Sequence, residues 1–167
     1  MAKSGWNQNQ GKVAHSFLQC QNKKWGLKMR NSRPILLVED DRVDAMTVKR
    51  ALKDLNITNP LVHTLDGEEA LEHLTGEGNE RPCIILLDLN MPRMNGIELL
   101  KIIKADDELK KIPVVVLTTS EDTQDKFETF GLSVAGYIVK PADYKKFVEA
   151  MRTVDIYWTL SELPSGE

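Results

Sequence analysis

Five short apolar runs recur along the chain, at residues 35–38, 61–65, 83–87, 114–117 and 137–139, each dominated by Ile, Leu and Val. Runs that stay apolar instead of alternating with polar residues suit strands buried on both faces, so the pattern predicts a parallel sheet covered by helices. Helical spacing fills the intervals. Val43, Met46, Val48, Ala51, Leu52 and Leu55 mark a first helix. Ala70, Leu71 and Leu74 mark a second, entered at Asp66-Gly67 and stopped by Gly76 and Gly78. Ile97, Leu100 and Ile103 follow Asn95-Gly96; Phe127 and Phe130 mark a fourth helix, which Ser120 could cap and Gly131 ends. The last helix follows Pro141, has Asp143 as its candidate cap and carries Phe147, Met151, Val154 and Trp158. Five strand–helix units in succession predict an open, doubly wound α/β domain over residues 33–160, with 161–167 as a short tail.

Residues 1–32 break the pattern. They are rich in Asn, Gln, Lys and Gly, show neither period, and read as a basic mobile extension. Met29, just ahead of the first apolar run, is a candidate initiator, which intact-mass measurement of the native protein checks. Charge divides at the same place. Seven of the 22 Lys and Arg and none of the 25 Asp and Glu lie within residues 1–33, so a formal +7 precedes a formal −10. An acidic body argues against nucleic acid as a partner, because phosphate backbones need a basic surface. There is no apolar run long enough to cross a membrane and no apolar core of a secretory signal, which points to a cytoplasmic protein. Cys20 and Cys83 are too few for a disulfide framework and have no zinc spacing; Cys83 reads as a small core residue.

In open α/β sheets ligands bind beyond the carboxyl ends of the strands. Here those ends carry Glu39-Asp40-Asp41, Asp88, Thr118-Thr119 and Lys140-Pro141. Carboxylates forced together repel one another until a cation neutralises them, and Mg²⁺ favours a few carboxylates completed by water and phosphate oxygens. Lys140 adds a point charge for another anionic oxygen. Such a set suits phosphoryl transfer, in which positioning and charge neutralisation dominate. Asp88, at the tip of a strand, is the candidate nucleophile. Asp41 and Asp66 are as well explained as helix caps. His15, His63 and His73 have no metal-ligand spacing and read as structural or exposed, and Met91 and Met94 as shaping the loop around Pro92.

The segments Ile-Leu-Leu-Val-Glu-Asp-Asp ending at Asp41, Asp-Leu-Asn-Met-Pro-Arg-Met-Asn-Gly starting at Asp88, Pro-Val-Val-Val-Leu-Thr ending at Thr118 and Gly-Tyr-Ile-Val-Lys-Pro ending at Pro141 closely resemble the response-regulator receiver domain of two-component signalling. The resemblance spans roughly residues 33–160 and implies a flavodoxin-like three-layer sandwich, with strand order 2-1-3-4-5, two helices on one face and three on the other. It implies that Asp88 takes a phosphoryl group from a histidine kinase with Mg²⁺ as cofactor. Asp40 and Asp88 would ligate the metal directly, Glu39 through water and Asn90 through its backbone carbonyl. Thr118 and Lys140 would hold phosphoryl oxygens, Thr118 and Tyr137 would form the switch, and the Lys140–Pro141 bond would be cis. Thr119 departs from the small residue usual there, which bears on the rate of phosphoryl hydrolysis.

The implied protein is a phosphoacceptor for signalling that catalyses only its own phosphorylation and dephosphorylation. A phosphatase of the haloacid-dehalogenase type would also form an aspartyl-phosphate but wants a general acid two residues on, where Asn90 stands. A flavodoxin-like electron carrier wants a phosphate cradle after the first strand, where carboxylates stand. Output would pass through a protein surface. Ile156, Tyr157 and Leu160 exceed what the last helix needs to cover the sheet, marking a dimerisation or docking surface. The ending Ile-Tyr-Trp-Thr-Leu-Ser-Glu-Leu-Pro resembles small regulators that partner phytochrome-type histidine kinases.

Overall fold

The three central strands are built almost wholly from side chains that water never touches. β1 (Ile35–Val38) and β3 (Ile84–Leu87) are buried at every position, and so is β4 (Val114–Thr118). β2 (Leu61–Thr64) and β5 (Gly136–Val139) form the edges and are only partly buried, so burial on both faces holds for the centre and not the rims. The structure is a computed structural model; it describes residues 32–119 and 123–160, without the side chains of 123–125, 127 and 155–160. The basic extension up to residue 31, Ser120 as a cap and the tail lie outside the described residues.

All strand pairs are parallel, in the order β2-β1-β3-β4-β5, as the motifs imply. The helices are α1 (Arg42–Asp54), α2 (Gly67–Thr75), α3 (Gly96–Ala105), α4 (Thr123–Gly131) and α5 (Tyr144–Leu160), with a 3₁₀ turn at Leu109–Lys111. Alternation along β1 divides the core. Ile35 and Leu37 join Val48, Leu52, Phe147 and Met151 on the α1–α5 side. Leu36 and Val38 join Ala70, Leu99, Leu100 and Ile103 on the other, where α2 packs on α3 and α3 on α4. Each such leucine or isoleucine stabilises the fold by about 1.5–3 kcal/mol on burial.

Helix starts follow local chemistry. Asp41 caps α1, accepting from the amides of Val43 and Asp44 at 2.7 and 3.0 Å. Asp66 caps α2 in the same way, Asn95 and Glu98 form a reciprocal capping box on α3, and Asp143 accepts from the Lys146 amide at the start of α5. The stripe expected on α1 needs correction. Val43 and Met46 are each 70% exposed, and the buried face is Ala45, Val48, Ala51, Leu52 and Leu55. Phe130 is likewise exposed on α4.

Candidate metal and phosphoacceptor site

At the carboxyl edge of the sheet, β1 and β3 end side by side, since Val38 pairs with Leu87. Glu39 and Asp88 therefore emerge as neighbours, and the Asp88 amide donates to the Val38 carbonyl at 3.0 Å. One carboxylate oxygen from each of Glu39, Asp40 and Asp88 falls within 4.8 Å of the others. Glu39 and Asp88 are buried and Asp40 is exposed, so the cluster has a closed floor and an open mouth. Asp88 Oδ2 accepts from the Asn90 amide at 3.0 Å, which curls the following loop over the acid. Asp88 Oδ1 is buried and accepts no hydrogen bond.

Lys140 arrives from the end of β5. Its Nζ donates to Glu39 Oε2 at 2.5 Å and to Asp44 Oδ2 at 2.7 Å, and stands 3.5 Å from Asp88 Oδ1. Burial opposes its charge, but hydrogen bonds to Asp44 and Glu39 and the charge of Asp88 leave its pKa raised. Burial also pushes the Glu39 carboxyl up to about 7, against the pull of Lys140 and with the repulsion of Asp88. Four carboxylates, Glu39, Asp40, Asp44 and Asp88, share this corner with one ammonium, a formal −3 when all are ionised. Clustered oxygen ligands and the buried Asp88 Oδ1 fit a hard divalent cation, with Glu39, Asp40 and Asp88 able to hold it.

Thr118 closes β4 next to this corner and is wholly buried, while Thr119 directly after it is exposed. The Lys140 amide donates to the Thr118 carbonyl at 2.8 Å, tying the two strand ends together. Tyr137 is half-buried on β5, opposite Val116; the Phe130 ring lies 6.2 Å from it in a stacked arrangement, and Lys126 Nζ 5.9 Å from its centroid. Asn90 is exposed and lines, with Asp40, a groove of about 570 Å³ between the site and the α3–α4 side. No described peptide bond is cis, so Lys140–Pro141 is trans, the form most X-Pro bonds take, and Lys140 reaches the acids from it. Ile156, Tyr157 and Leu160 belong to α5, but their side chains lie outside the described residues.

Three contributors escaped the sequence reading. Asp44 is the second carboxylate on Lys140, one turn into α1. His63 hydrogen-bonds the Glu39 carbonyl. Arg93 pairs with buried Asp66 and reaches Glu69 at 3.2 Å, pinning the loop after Asp88 to the start of α2. For Asp44 a signal existed, since the first turn after Asp41 points back toward the strand ends.

A doubly wound sheet with an acid triad and a lysine at its carboxyl edge presents the donor set of a divalent-cation site with a cationic side chain beside it. The sequence matches the response regulator receiver domain over residues 35–152, and the chain belongs to that family. The response regulator Rcp1 of Synechocystis sp. (strain ATCC 27184 / PCC 6803 / Kazusa) is 38% identical over 128 residues, covering 74% of this chain and 87% of that one. The phosphorylated cyanobacterial phytochrome response regulator RcpA superposes with a TM-score of 0.73 at 38% identity, covering 80% of this chain and 99% of that one. The Mn²⁺-bound form of Rcp1 gives the same TM-score of 0.73 at 37% identity and the same coverage, 80% and 99%. Among the described residues no helix is long and apolar enough to cross a membrane.

Proposed function

We propose that Asp88 accepts a phosphoryl group from the phosphohistidine of a sensor kinase in a Mg²⁺-dependent reaction, and that the modified protein signals by exchanging protein partners. The observation that carries this reading is the convergence of the Glu39, Asp40 and Asp88 oxygens within 4.8 Å, with Lys140 beside them. A carboxylate oxygen of Asp88 attacks phosphorus, the P–N bond to the donor imidazole breaks, and an acyl phosphate forms as the imidazole regains a proton. Bound Mg²⁺ supplies neutralisation of the charge shared by carboxylates and phosphoryl oxygens. Asp40 and Asp88 would hold it directly, Glu39 through water and Asn90 through its carbonyl.

This chain's own residues prepare the reaction. The Asn90 amide orients one Asp88 oxygen and leaves Oδ1 uncommitted. Lys140, already charged and held by two other acids, turns to a phosphoryl oxygen, and Thr118 binds another. Movement of Thr118 passes to Tyr137, whose ring is braced by Phe130 of α4. Thr119, exposed directly after Thr118, would narrow access to the acyl phosphate and so bears on its rate of hydrolysis. The similarity to phytochrome response regulators supports a phytochrome-type kinase as donor, and a homodimer through Ile156, Tyr157 and Leu160 is the proposed output form. The protein acts on no separate substrate, works in the cytoplasm and needs neither nucleic acid nor membrane.

Incubation with Mg²⁺ and acetyl phosphate, followed by intact mass, tests the chemistry. The wild type gains one phosphoryl group and Asp88→Asn gains none; equal labelling of both defeats the proposal. Sedimentation of the wild type beside Tyr157→Ala and Leu160→Asp tests the dimer, which is discarded if all three share one mass.

A further inference from the structure

The Glu39 backbone is held at both of its polar groups by adjacent residues of β2. Its amide donates to the Thr64 carbonyl at 3.0 Å, which continues the β1–β2 ladder one step past the Val38–Thr64 pair. Its carbonyl oxygen lies 2.8 Å from His63 Nε2. A carbonyl only accepts, so Nε2 bears the hydrogen and donates it. The imidazole thus does, from a side chain, what the next rung of the ladder would do where the chain has begun to leave the sheet.

That peptide is the one that must send two consecutive carboxylates in different directions. Glu39 is 2% exposed, while Asp40 is exposed at the mouth. A peptide unit is planar and trans, so fixing the Glu39 carbonyl toward β2 also fixes the Asp40 amide on the opposite side. Both side chains are then presented from a set backbone. Resting on the reading of these acids as a divalent-cation site, we propose that His63 is a positioning residue for that site, holding the Glu39–Asp40 peptide through its Nε2–H and raising the affinity for the ion without touching it. Partners of this kind, one bond away from the ligands, tune metal affinity in proteins generally.

The test is calorimetric titration of the full chain with Mg²⁺, for the wild type, His63→Ala and His63→Gln, with thermal melting of each in EDTA. His63 is exposed, so all three fold. Loss of this one part-buried bond should weaken binding about three- to tenfold in His63→Ala. His63→Gln, whose amide can donate to the same oxygen, should return to within about twofold of the wild type, since the donor and not the ring is what matters. Unchanged Mg²⁺ affinity in His63→Ala overturns the proposal, as does equal weakening in both variants. A wild type that binds no Mg²⁺ defeats instead the reading of the acids as a cation site.

Discussion

Lys140 holds its ammonium nitrogen 2.5 Å from a carboxylate oxygen of Glu39 but 3.5 Å from Asp88. The lysine is therefore bonded to the acids around Asp88 more closely than to Asp88 itself. It offsets part of their repulsion and also competes with any cation that enters. Lys140→Gln removes both effects. In EDTA the variant should lose about 2–4 kcal/mol of unfolding free energy, as a buried acid stripped of its partner does. Saturating Mg²⁺ should restore most of it, and Mg²⁺ affinity should rise, because one positive charge no longer opposes the ion. Urea titrations with and without Mg²⁺ read both effects; equal stability in EDTA contradicts the role given to the lysine.

Asp40 and Asp41 are adjacent acids with opposite duties. Asp41 spends an oxygen on the Val43 and Asp44 amides, and those bonds hold its carboxyl below the usual carboxylate range. Asp40 contributes to the acid cluster instead. Asp40→Asn should weaken Mg²⁺ binding at least about tenfold, whereas Asp41→Asn, which keeps a cap acceptor, should change it less than about threefold. Calorimetric titration separates them, and a reversed order would reassign the two residues.

The central strands were legible because complete burial writes itself as unbroken apolar runs; the observed β1 and β3 agree with the runs to within a residue. The edge strand β2 ends at Thr64, not 65, since Leu65 turns outward ahead of the Asp66 cap. Helix α1 misled for a physical reason. Its buried face uses Ala45, a small residue that carries little hydrophobic signal, while the larger Val43 and Met46 face solvent. At the site, Glu39, Asp40, Asp88, Thr118 and Lys140 were readable because strand ends must converge in this topology. Asp44 left a fainter signal, its place in the first turn of α1, and His63 left none, because its contact depends on the β1–β2 register. Peptide geometry was equally hidden: Lys140–Pro141 is trans.

Cys83 should be chemically quiet in the folded protein. It is 1% exposed, and burial pushes its thiol up to about 11 from an ordinary 9.0, with Arg33 offsetting only part. At pH 8 roughly one molecule in a thousand then carries the thiolate, the only reactive form. In a Cys20→Ser background, iodoacetamide should modify native Cys83 at least about a hundredfold more slowly than in denaturant. The linkage has a definite sign. A thiol raised in the folded state contributes stability that is fully present below about 9 and lost as pH rises toward about 11. Fast labelling of the native protein at pH 8 would contradict this environment.

Gly96 fixes the Asp88 backbone by what it lacks. A Cβ there would lie 2.2 Å from the Asp88 carbonyl oxygen and 2.8 Å from Leu89 Cα, both main-chain atoms at the end of a buried strand. Its amide meanwhile donates to the Leu89 carbonyl at 3.1 Å, so the start of α3 is drawn against the loop that Asp88 begins. Neither side can give way without moving Asp88 from its place beside Glu39. Gly96→Ala should cost at least about 2 kcal/mol in urea unfolding and should weaken Mg²⁺ binding together with the fold. Gly131, at the end of α4, provides the contrast, since a Cβ there meets nothing within 4 Å. Gly131→Ala should be neutral or stabilise by up to about 1 kcal/mol, as alanine does in helices. If Gly96→Ala matched the wild type in both stability and Mg²⁺ affinity, close approach of α3 to the end of β3 would not be what sets Asp88.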